Sequence, residues 1–261
     1  MFNTPSGPFV AVKDVNAEVS GGEFVAVLGH SGCGKSTVLS IVAGLDRATL
    51  GGVVIDGAEV VGPGADRAIV FQSPSLLPWM TARDNVGLAL ARTTRGSAAR
   101  RGAADHYLQL VGVLDAADQL PTQLSLGTQQ CVSLARALAA EPRFLLLDEP
   151  FSQLDSLTRY QLQDILLRVW EESGKTVVMV THDVDEALYL SDRLLLMTDG
   201  PEATVGETLV VPFPRPRRRA AVLGHSDYHA MRRRVIDFLE HHAHQSRPSA
   251  LDRVLRQRAP A

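Results

Sequence analysis

Residues 24–36 read FVAVLGHSGCGKS: five apolar residues lead directly into a glycine-rich loop that ends in lysine and serine. An uninterrupted apolar run of this length is typical of a strand buried on both faces of a parallel sheet. After the loop, we predict a helix from about Lys35 to Ala43 that ends at Gly44. A strand, a loop and a helix in this order predict an α/β fold built on a parallel sheet.

The loop at residues 29–36 matches G-x-x-x-x-G-K-[ST], the P-loop pattern, in the strand-to-helix context that the pattern requires. Glycines let backbone N–H groups turn toward phosphate oxygens, and the helix N-terminus adds a favourable dipole. We expect Lys35 to contact the β- and γ-phosphates of ATP, and the Ser36 hydroxyl to bind Mg²⁺. The residues of this segment predicted to bind the nucleotide are Gly29, His30, Ser31, Gly32, Cys33, Gly34, Lys35, Ser36 and Thr37.

A second apolar strand, residues 144–147, ends in two carboxylates, Asp148 and Glu149. On its own such a pair is most often a solvated strand end. Downstream of a P-loop it indicates phosphoryl transfer, because a carboxylate at this edge can hold Mg²⁺ while its neighbour orients the attacking water. We assign Asp148 to Mg²⁺ and Glu149 to the water.

The rest of the chain alternates between apolar runs and turn residues, which favours a parallel sheet with helices on both faces. In the first half, edge strands are expected within residues 9–19, short strands near 53–55 and 68–71, and a mostly helical insertion over 80–140. In the second half, helices are predicted at 156–173 and 183–190, and strands at 176–180 and 193–197. From residue 212 the composition shifts to proline and arginine, followed by a polar helix near 226–243.

Composition excludes several classes of function. The net charge of −3 leaves no global basic field for nucleic acid, and no apolar run approaches the ~20 residues of a membrane-spanning helix. The first residues lack the apolar region of a signal peptide. Cys33 and Cys131 do not have a metal-like spacing, which favours a reduced, cytosolic setting.

Several short segments together resemble the ATPases of ABC transporters. Residues 124–130, LSLGTQQ, are similar to the family's signature sequence, and Gln72 is similar to its Q-loop glutamine. Residues 152–155 resemble the D-loop, and His182 resembles the switch histidine. The order and spacing of these segments match the family across roughly residues 9–200.

The resemblance implies two ATPase subunits facing head to tail, as a homodimer or a heterodimer, with each ATP held between the P-loop of one and the signature of the other. Ser125, the Gly127 backbone and Asp155 of the D-loop would then complete the nucleotide site across the dimer. His182 would contact the γ-phosphate within its own subunit. Gln72 would contact Mg²⁺ or water and couple the site to the membrane partner.

The fold implied is a P-loop NTPase with a RecA-like parallel sheet, flanking helices, a small antiparallel β subdomain and an inserted helical subdomain. The ATPase domain would span residues 1–211, with its helical subdomain at about 75–140. Residues 212–261 would be a short C-terminal extension. We interpret its arginine run, residues 215–219, as a solvated linker rather than a nucleic-acid or lipid site.

A narrower resemblance points to importers of nitrate, sulfonate and taurine. It rests on residues 71–81 (FQSPSLLPWMT), 148–159 and 181–187, while the tail at 199–201 and 211–217 is most similar to the nitrate, nitrite or cyanate branch. It implies integral membrane permease subunits as partners, an extracytoplasmic solute-binding protein as an indirect partner, and no nucleic acid. The chain would then be peripheral, at the cytoplasmic face of the inner membrane.

Two positions depart from the family pattern, and the residue that would stack on adenine has two candidates. Leu126 stands where the signature usually has glycine, and a positive φ there would strain the loop by about 1–2 kcal/mol. Such strain would weaken the site that the signature offers to the partner subunit. Cys131 stands where arginine is usual, so one ion pair on a helix surface would be missing. The adenine-stacking aromatic is Phe2 or Phe9.

Three functions remain open. The first is the ATPase of a small-anion importer, for nitrate or nitrite or, alternatively, for a sulfonate or taurine. The second is a soluble ABC ATPase acting on nucleic acid or ribosomes, against which the single cassette and the short insertion count. The third is a regulatory cassette that binds ATP but barely hydrolyses it, which Leu126 favours and which Glu149 and His182 oppose.

Overall fold

The structure is a computed structural model, and it describes residues 2–4 and 7–243. Its strands are β1 (Phe2–Thr4), β2 (Gly7–Phe9), β3 (Phe24–Leu28), β4 (Val54–Ile55), β5 (Ala58–Glu59), β6 (Arg67–Val70), β7 (Phe144–Asp148), β8 (Thr176–Thr181), β9 (Arg193–Met197) and β10 (Val205–Val210). Its helices are α1 (Lys35–Ala43), α2 (Ala82–Ala89), α3 (Ser97–Leu110), α4 (Leu126–Ala139), α5 (Ser156–Ser173), α6 (Val184–Leu190), α7 (Arg219–Leu223) and α8 (Tyr228–Ala243).

The central sheet has six strands in the order β10-β9-β3-β8-β7-β6. All neighbours are parallel except β9 and β10, which pair antiparallel. The strand β3 lies in the middle and is buried at all five positions, as its continuous apolar sequence predicts. The predicted α/β fold with a parallel sheet is therefore confirmed.

Two smaller antiparallel hairpins, β1-β2 and β4-β5, and the helical insertion α2–α4 flank the sheet. The insertion is held to the core by apolar packing, and residues from α2, α3 and α4 belong to the same hydrophobic cluster as β3 and β7. Helix α4 continues this cluster through Cys131, so Cys131 is buried and not on a helix surface as predicted. Burial raises the pKa of its thiol to about 11.

The prediction of edge strands over residues 9–19 is wrong beyond Phe9. Residues 13–19 contain no strand, and Val12 makes only an isolated bridge with Ala203. This segment is held at isolated points and not by a ladder: the Lys13 N–H donates to the Ala203 carbonyl, and the Thr204 hydroxyl and the Asn16 amide both donate to the Asp14 carbonyl. None of the helices within residues 7–243 has the length and apolar character needed to cross a bilayer.

The segment after residue 211 packs on the core, and its arginine run is not a solvated linker as predicted. The Arg217 side chain is only 1% exposed. Its guanidinium donates to the carbonyls of Phe213, Tyr189 and Ser191, at 2.6–3.3 Å. Burial lowers the pKa of Arg217 to about 10, which leaves it charged at neutral pH. The Arg215 guanidinium stacks 4.2 Å above the Trp170 ring.

We expect Arg217→Ala to lower the free energy of unfolding by about 3 kcal/mol, because it leaves several buried carbonyls without a donor. The matched control is Arg218→Ala, which removes the same group from an exposed neighbouring position and should change stability by less than about 0.5 kcal/mol. Thermal unfolding followed by circular dichroism measures both. Equal effects of the two substitutions would contradict the structural role of Arg217.

Candidate functional site

The carboxyl ends of four parallel strands meet at one edge of the sheet, where ligands bind in open α/β folds. The P-loop follows β3, and Asp148 and Glu149 lie at the end of β7. His182 directly follows β8, and Gln72 follows β6 by two residues. Four segments far apart in sequence are thus brought to one place because their strands are neighbours in the sheet.

The P-loop is folded around the ammonium group of Lys35. This side chain is only 4% exposed, and its Nζ donates to the carbonyls of Gly29 at 2.7 Å and His30 at 2.8 Å. Ser31 and Gly32, at the crest of the loop, are exposed, while Cys33 is buried. Burial also raises the pKa of the Cys33 thiol, so this residue can offer a ligand only its backbone.

Gly34 is the residue before α1, and two constraints require glycine there. Its φ of 96° lies in the left-handed region, which favours glycine. A Cβ at this position would also lie 2.4 Å from Val12 Cγ1. This tight turn directs the N-terminus of α1 into the loop and places Ser36 and Thr37 in the first helical turn. The N-terminus of a helix is a favourable site for an anion.

Ser36 and Asp148 come together from α1 and β7, as the sequence predicted for a metal site. The Ser36 hydroxyl donates to Asp148 Oδ1 at 2.9 Å. Burial is the largest influence on Asp148 and raises the pKa of its carboxyl, while the Ser36 hydrogen bond acts in the opposite direction. Two hard oxygen ligands side by side at the edge of a phosphate loop are the set that Mg²⁺ prefers.

Glu149 lies at the centre of the predicted catalytic residues. Its carboxylate is 3.1 Å from His182 Nδ1, 3.4 Å from Gln72 Nε2 and 4.0 Å from Lys35 Nζ. The backbone of Glu149 has a φ of 44°, uncommon for a residue with a side chain. Its N–H donates to the Val180 carbonyl of β8 at 2.9 Å, which fixes this conformation. Unusual backbone held by its surroundings is typical of functional sites.

Ser152, which sequence analysis placed in the D-loop without a contact of its own, also belongs to this cluster. Its hydroxyl accepts from Gln72 Nε2 at 3.2 Å and donates to the Glu149 carbonyl at 3.0 Å. Ser152 therefore links the Gln72 side chain to the main chain of Glu149. A serine three residues after Glu149 is a common turn residue, so its position in sequence carried no signal for this contact.

Ser125 and Gly127 of the signature lie at the start of α4. The Ser125 side chain caps the helix by accepting from the Thr128 N–H at 3.2 Å. Leu126 is the first helical residue and is not among the residues with positive φ, so the predicted strain at this position is wrong. A leucine directly after the N-cap adopts ordinary helical backbone angles. The Leu126 side chain is 38% exposed. Among the described residues, no hydrogen bond joins Ser125 or Gly127 to the P-loop.

Gly127 packs closely against the first turn of α5, the helix that follows the D-loop. A Cβ on Gly127 would lie 2.6 Å from Thr158 Cγ2, in the first turn of α5. Asp155 caps that turn by accepting from the N–H groups of Leu157 and Thr158, both at 3.1 Å. The Thr158 hydrogen bonds are the main reason why the pKa of Asp155 is lowered. The signature therefore packs against the helix turn that Asp155 of the D-loop caps.

The adenine-stacking prediction concerns the β1-β2 hairpin, where Phe2 and Phe9 are paired in register. Phe9 is 41% exposed and thus available to a ligand. The side chain of Phe2 lies outside the described part of the structure. Stacking by either ring stays a prediction.

The fold and the loop define the class of protein: a P-loop ATPase with its acidic strand end in place. Residues 12–152 match the family model described as "ABC transporter". The chain belongs to the ABC transporter family, as an ATP-binding subunit whose ATP hydrolysis drives transport.

The relatives and solved structures agree with this assignment. The chain is 52% identical to the nitrate import ATP-binding protein NrtD of Synechococcus elongatus, over 91% of this chain and 88% of NrtD. It is 45% identical to the bicarbonate transport ATP-binding protein CmpD of the same species, over 92% and 87% of the two chains. A dimeric ATP-binding cassette, MJ0796, bound to ADP and Pi, superposes with a TM-score of 0.71 at 37% identity, covering 78% of this chain and 92% of MJ0796.

We expect Gly127→Ala to destabilise the protein by about 1–2 kcal/mol, because its Cβ would overlap the Thr158 methyl group. Thr158→Ser removes that methyl group and keeps the hydroxyl. The double variant should therefore recover most of the loss, which a double-mutant cycle of thermal unfolding measures. If the effects of the two substitutions are strictly additive, overlap with the Thr158 methyl group is not the reason why glycine is required at position 127.

A second prediction concerns Glu186, which lies in α6 behind His182 and accepts from Gln163 Nε2 at 2.8 Å. Burial raises the pKa of its carboxyl from 4.5 to about 7. Between these values the folded chain holds a proton that the unfolded chain releases, so stability falls as pH rises. We expect the stability gained by Glu186→Gln to grow from near zero at pH 4 to on the order of 3 kcal/mol at pH 8. A difference independent of pH would contradict this.

Proposed function

We propose that the chain is the ATP-hydrolysing subunit of an importer for a small inorganic anion, with nitrate or nitrite as the leading solutes. The observation that carries the proposal is the likeness, over nine-tenths of the chain, to subunits named for nitrate and bicarbonate import. Both named solutes are small oxyanions of low charge. No feature in the part of the chain that the structure describes selects the solute, so we assign solute selectivity to other subunits.

Within the site, we assign the catalytic step to Glu149. Its carboxylate is positioned to orient a water molecule for attack on the γ-phosphate. His182 would then donate to the same phosphate, and Gln72 would align the water from the other side. Lys35 and the loop N–H groups would hold the β- and γ-phosphates and stabilise the charge that develops on them.

We assign the Mg²⁺ site to Ser36 and Asp148, with Gln72 as a further ligand. The oxygen pair at 2.9 Å fits a hard cation. When bound, Mg²⁺ would neutralise charge on the β- and γ-oxygens of ATP. The Ser36 hydroxyl would turn from the Asp148 carboxylate toward the cation, since both oxygens can act as ligands once the hydrogen bond is given up.

We assign the second half of each nucleotide site to a partner subunit, through Ser125, Gly127 and Asp155. The packing of Gly127 against the helix that Asp155 caps supports their action as one surface. The dimeric MJ0796 cassette is the precedent. A regulatory cassette with little hydrolysis is less well supported, because Leu126 is accommodated as an ordinary helical residue.

We place the membrane partners, two permease subunits, on the face of the helical insertion that follows Gln72. Trp79 is 71% exposed there, and aromatic residues are enriched at protein–protein interfaces. The chain would then be a peripheral protein at the cytoplasmic side of the inner membrane. An extracytoplasmic solute-binding protein would act on it only through the permease, and nucleic acid has no part.

The proposal predicts that hydrolysis and import stop together in Glu149→Gln. The chain and its permease are reconstituted in proteoliposomes with the solute-binding protein, and phosphate release and uptake of labelled nitrate, nitrite, bicarbonate and taurine are measured. We expect hydrolysis stimulated by nitrate or nitrite, and a loss of at least about 100-fold in Glu149→Gln with ATP binding retained.

The alternatives give different results. Stimulation by taurine or an alkyl sulfonate alone would replace the proposed solute with an organic anion. Clear ATP binding without phosphate release in the complete wild-type complex would indicate the regulatory cassette. Undiminished hydrolysis in Glu149→Gln would refute the role of that carboxylate.

A further inference from the structure

The C-terminal helix α8 contacts the P-loop directly. His30 Nε2 lies 2.9 Å from the carbonyl oxygen of Leu239. Because a carbonyl oxygen can only accept, Nε2 carries a proton and donates it to this contact. The side chain of a P-loop residue is thus turned away from the phosphate cradle and engaged by the last part of the described chain.

The same residue also holds the catalytic lysine. The backbone carbonyl of His30 accepts from Lys35 Nζ at 2.8 Å and from the Cys33 N–H at 3.3 Å. The imidazole and the carbonyl belong to one residue, so a displacement of the ring displaces an acceptor of Lys35. Helix α8 can therefore influence where the lysine ammonium group lies.

An earlier part of α8 contacts the segment that carries His182. Asp185, in the first turn of α6, accepts from the Tyr228 hydroxyl and from Arg232 Nε, both at 2.7 Å. This turn begins directly after His182, with Asp183 as its N-cap. Helix α8 therefore joins the P-loop to the switch-histidine segment from outside the nucleotide cleft.

Between its two contacts, α8 is fixed to the sheet. Val235 is fully buried, and Arg234 Nε donates to Glu207 Oε1 of β10 at 2.9 Å. A Cβ on Gly206 would lie 2.8 Å from Phe238 Cζ, so this ring packs flush on β10. Positions 232 and 239 are separated by about 10 Å along an α-helix, a distance that a helix keeps constant.

We propose that α8 is a positioning element of the ATP site, with His30 as its contact to the P-loop and Asp185 as its contact to the switch-histidine segment. The helix holds these two loops at a fixed separation, which pre-organises Lys35 for the phosphates. The inference rests on the assignment of the ATP site and not on the identity of the solute.

The test measures nucleotide affinity in the full-length chain carrying Glu149→Gln, so that hydrolysis does not enter. The probe is a fluorescent ATP analogue, titrated with and without Mg²⁺. We expect His30→Ala to raise Kd about five- to ten-fold, and His30→Gln, which retains an N–H donor, to restore most of the affinity. Arg232→Ala should raise Kd about two- to three-fold through the distant contact.

The matched control is Arg233→Ala, which removes an arginine from the adjacent, exposed position of α8. Within residues 2–4 and 7–243, no hydrogen bond or ion pair joins the Arg233 side chain to another residue. It should leave Kd unchanged. The double variant His30→Ala/Arg232→Ala should bind no more weakly than His30→Ala alone, because without the imidazole of His30 a change at Arg232 can no longer reach the P-loop through α8.

Three results would overturn the proposal. These are an unchanged Kd in His30→Ala, equal effects of Arg232→Ala and Arg233→Ala, or additive effects in the double variant. If His30→Ala does not fold, as thermal unfolding will show, His30→Gln and Arg232→Ala still decide the matter. ATP hydrolysis by the wild type and its loss in Glu149→Gln are measured in a separate experiment. The proposed function can therefore be refuted while the role of α8 stands, and the role of α8 can be refuted while the proposed function stands.

Discussion

The buried ammonium group of Lys35 is the constraint on which the rest of the site depends. A cation removed from water must be surrounded by acceptors, and here the P-loop itself provides two carbonyls while Glu149 provides a charge 4.0 Å away. The shape of the loop is therefore tied to the position of this ammonium group. Triphosphate oxygens offer Lys35 stronger partners than carbonyls, so binding exchanges contacts that are already in place and costs little reorganisation.

The sheet determines which residues can reach that lysine. Because β3 has β8 on one side and β7 lies next to β8, the residues after these strands can meet around one point. Glu149 occupies that point, and its unusual backbone is held by a hydrogen bond to β8. Gln72, in the segment that leads into the helical insertion, reaches the same point by donating to the Glu149 carboxylate and to the Ser152 hydroxyl. A displacement of the insertion would therefore act on the Glu149 carboxylate through Gln72.

Sequence alone predicted the parts of the fold that are encoded locally. The strand β3, the loop and α1 follow from hydrophobicity and glycine over a short span, and α1 has the predicted bounds. The predictions that failed concern residues whose surroundings come from elsewhere in the chain. Arg217 has the composition of a linker, but its acceptors are carbonyls from α6 and the residues after it. At Leu126, a family preference for glycine was interpreted as backbone strain, although the helix start accepts either residue.

At Gly127 the situation is the opposite of that at Leu126. Glycine is required there because of the space available to a side chain and not because of the backbone angle φ. Its position in α4 is helical, and the constraint is the Thr158 methyl group on another helix. That close approach brings the signature against the turn capped by Asp155, so these two elements pack directly on each other. On the opposite side, α8 joins the P-loop to the segment after β8. In the proposed composite ATP site, the P-loop and the signature would thus both be supported by contacts that lie outside the nucleotide cleft.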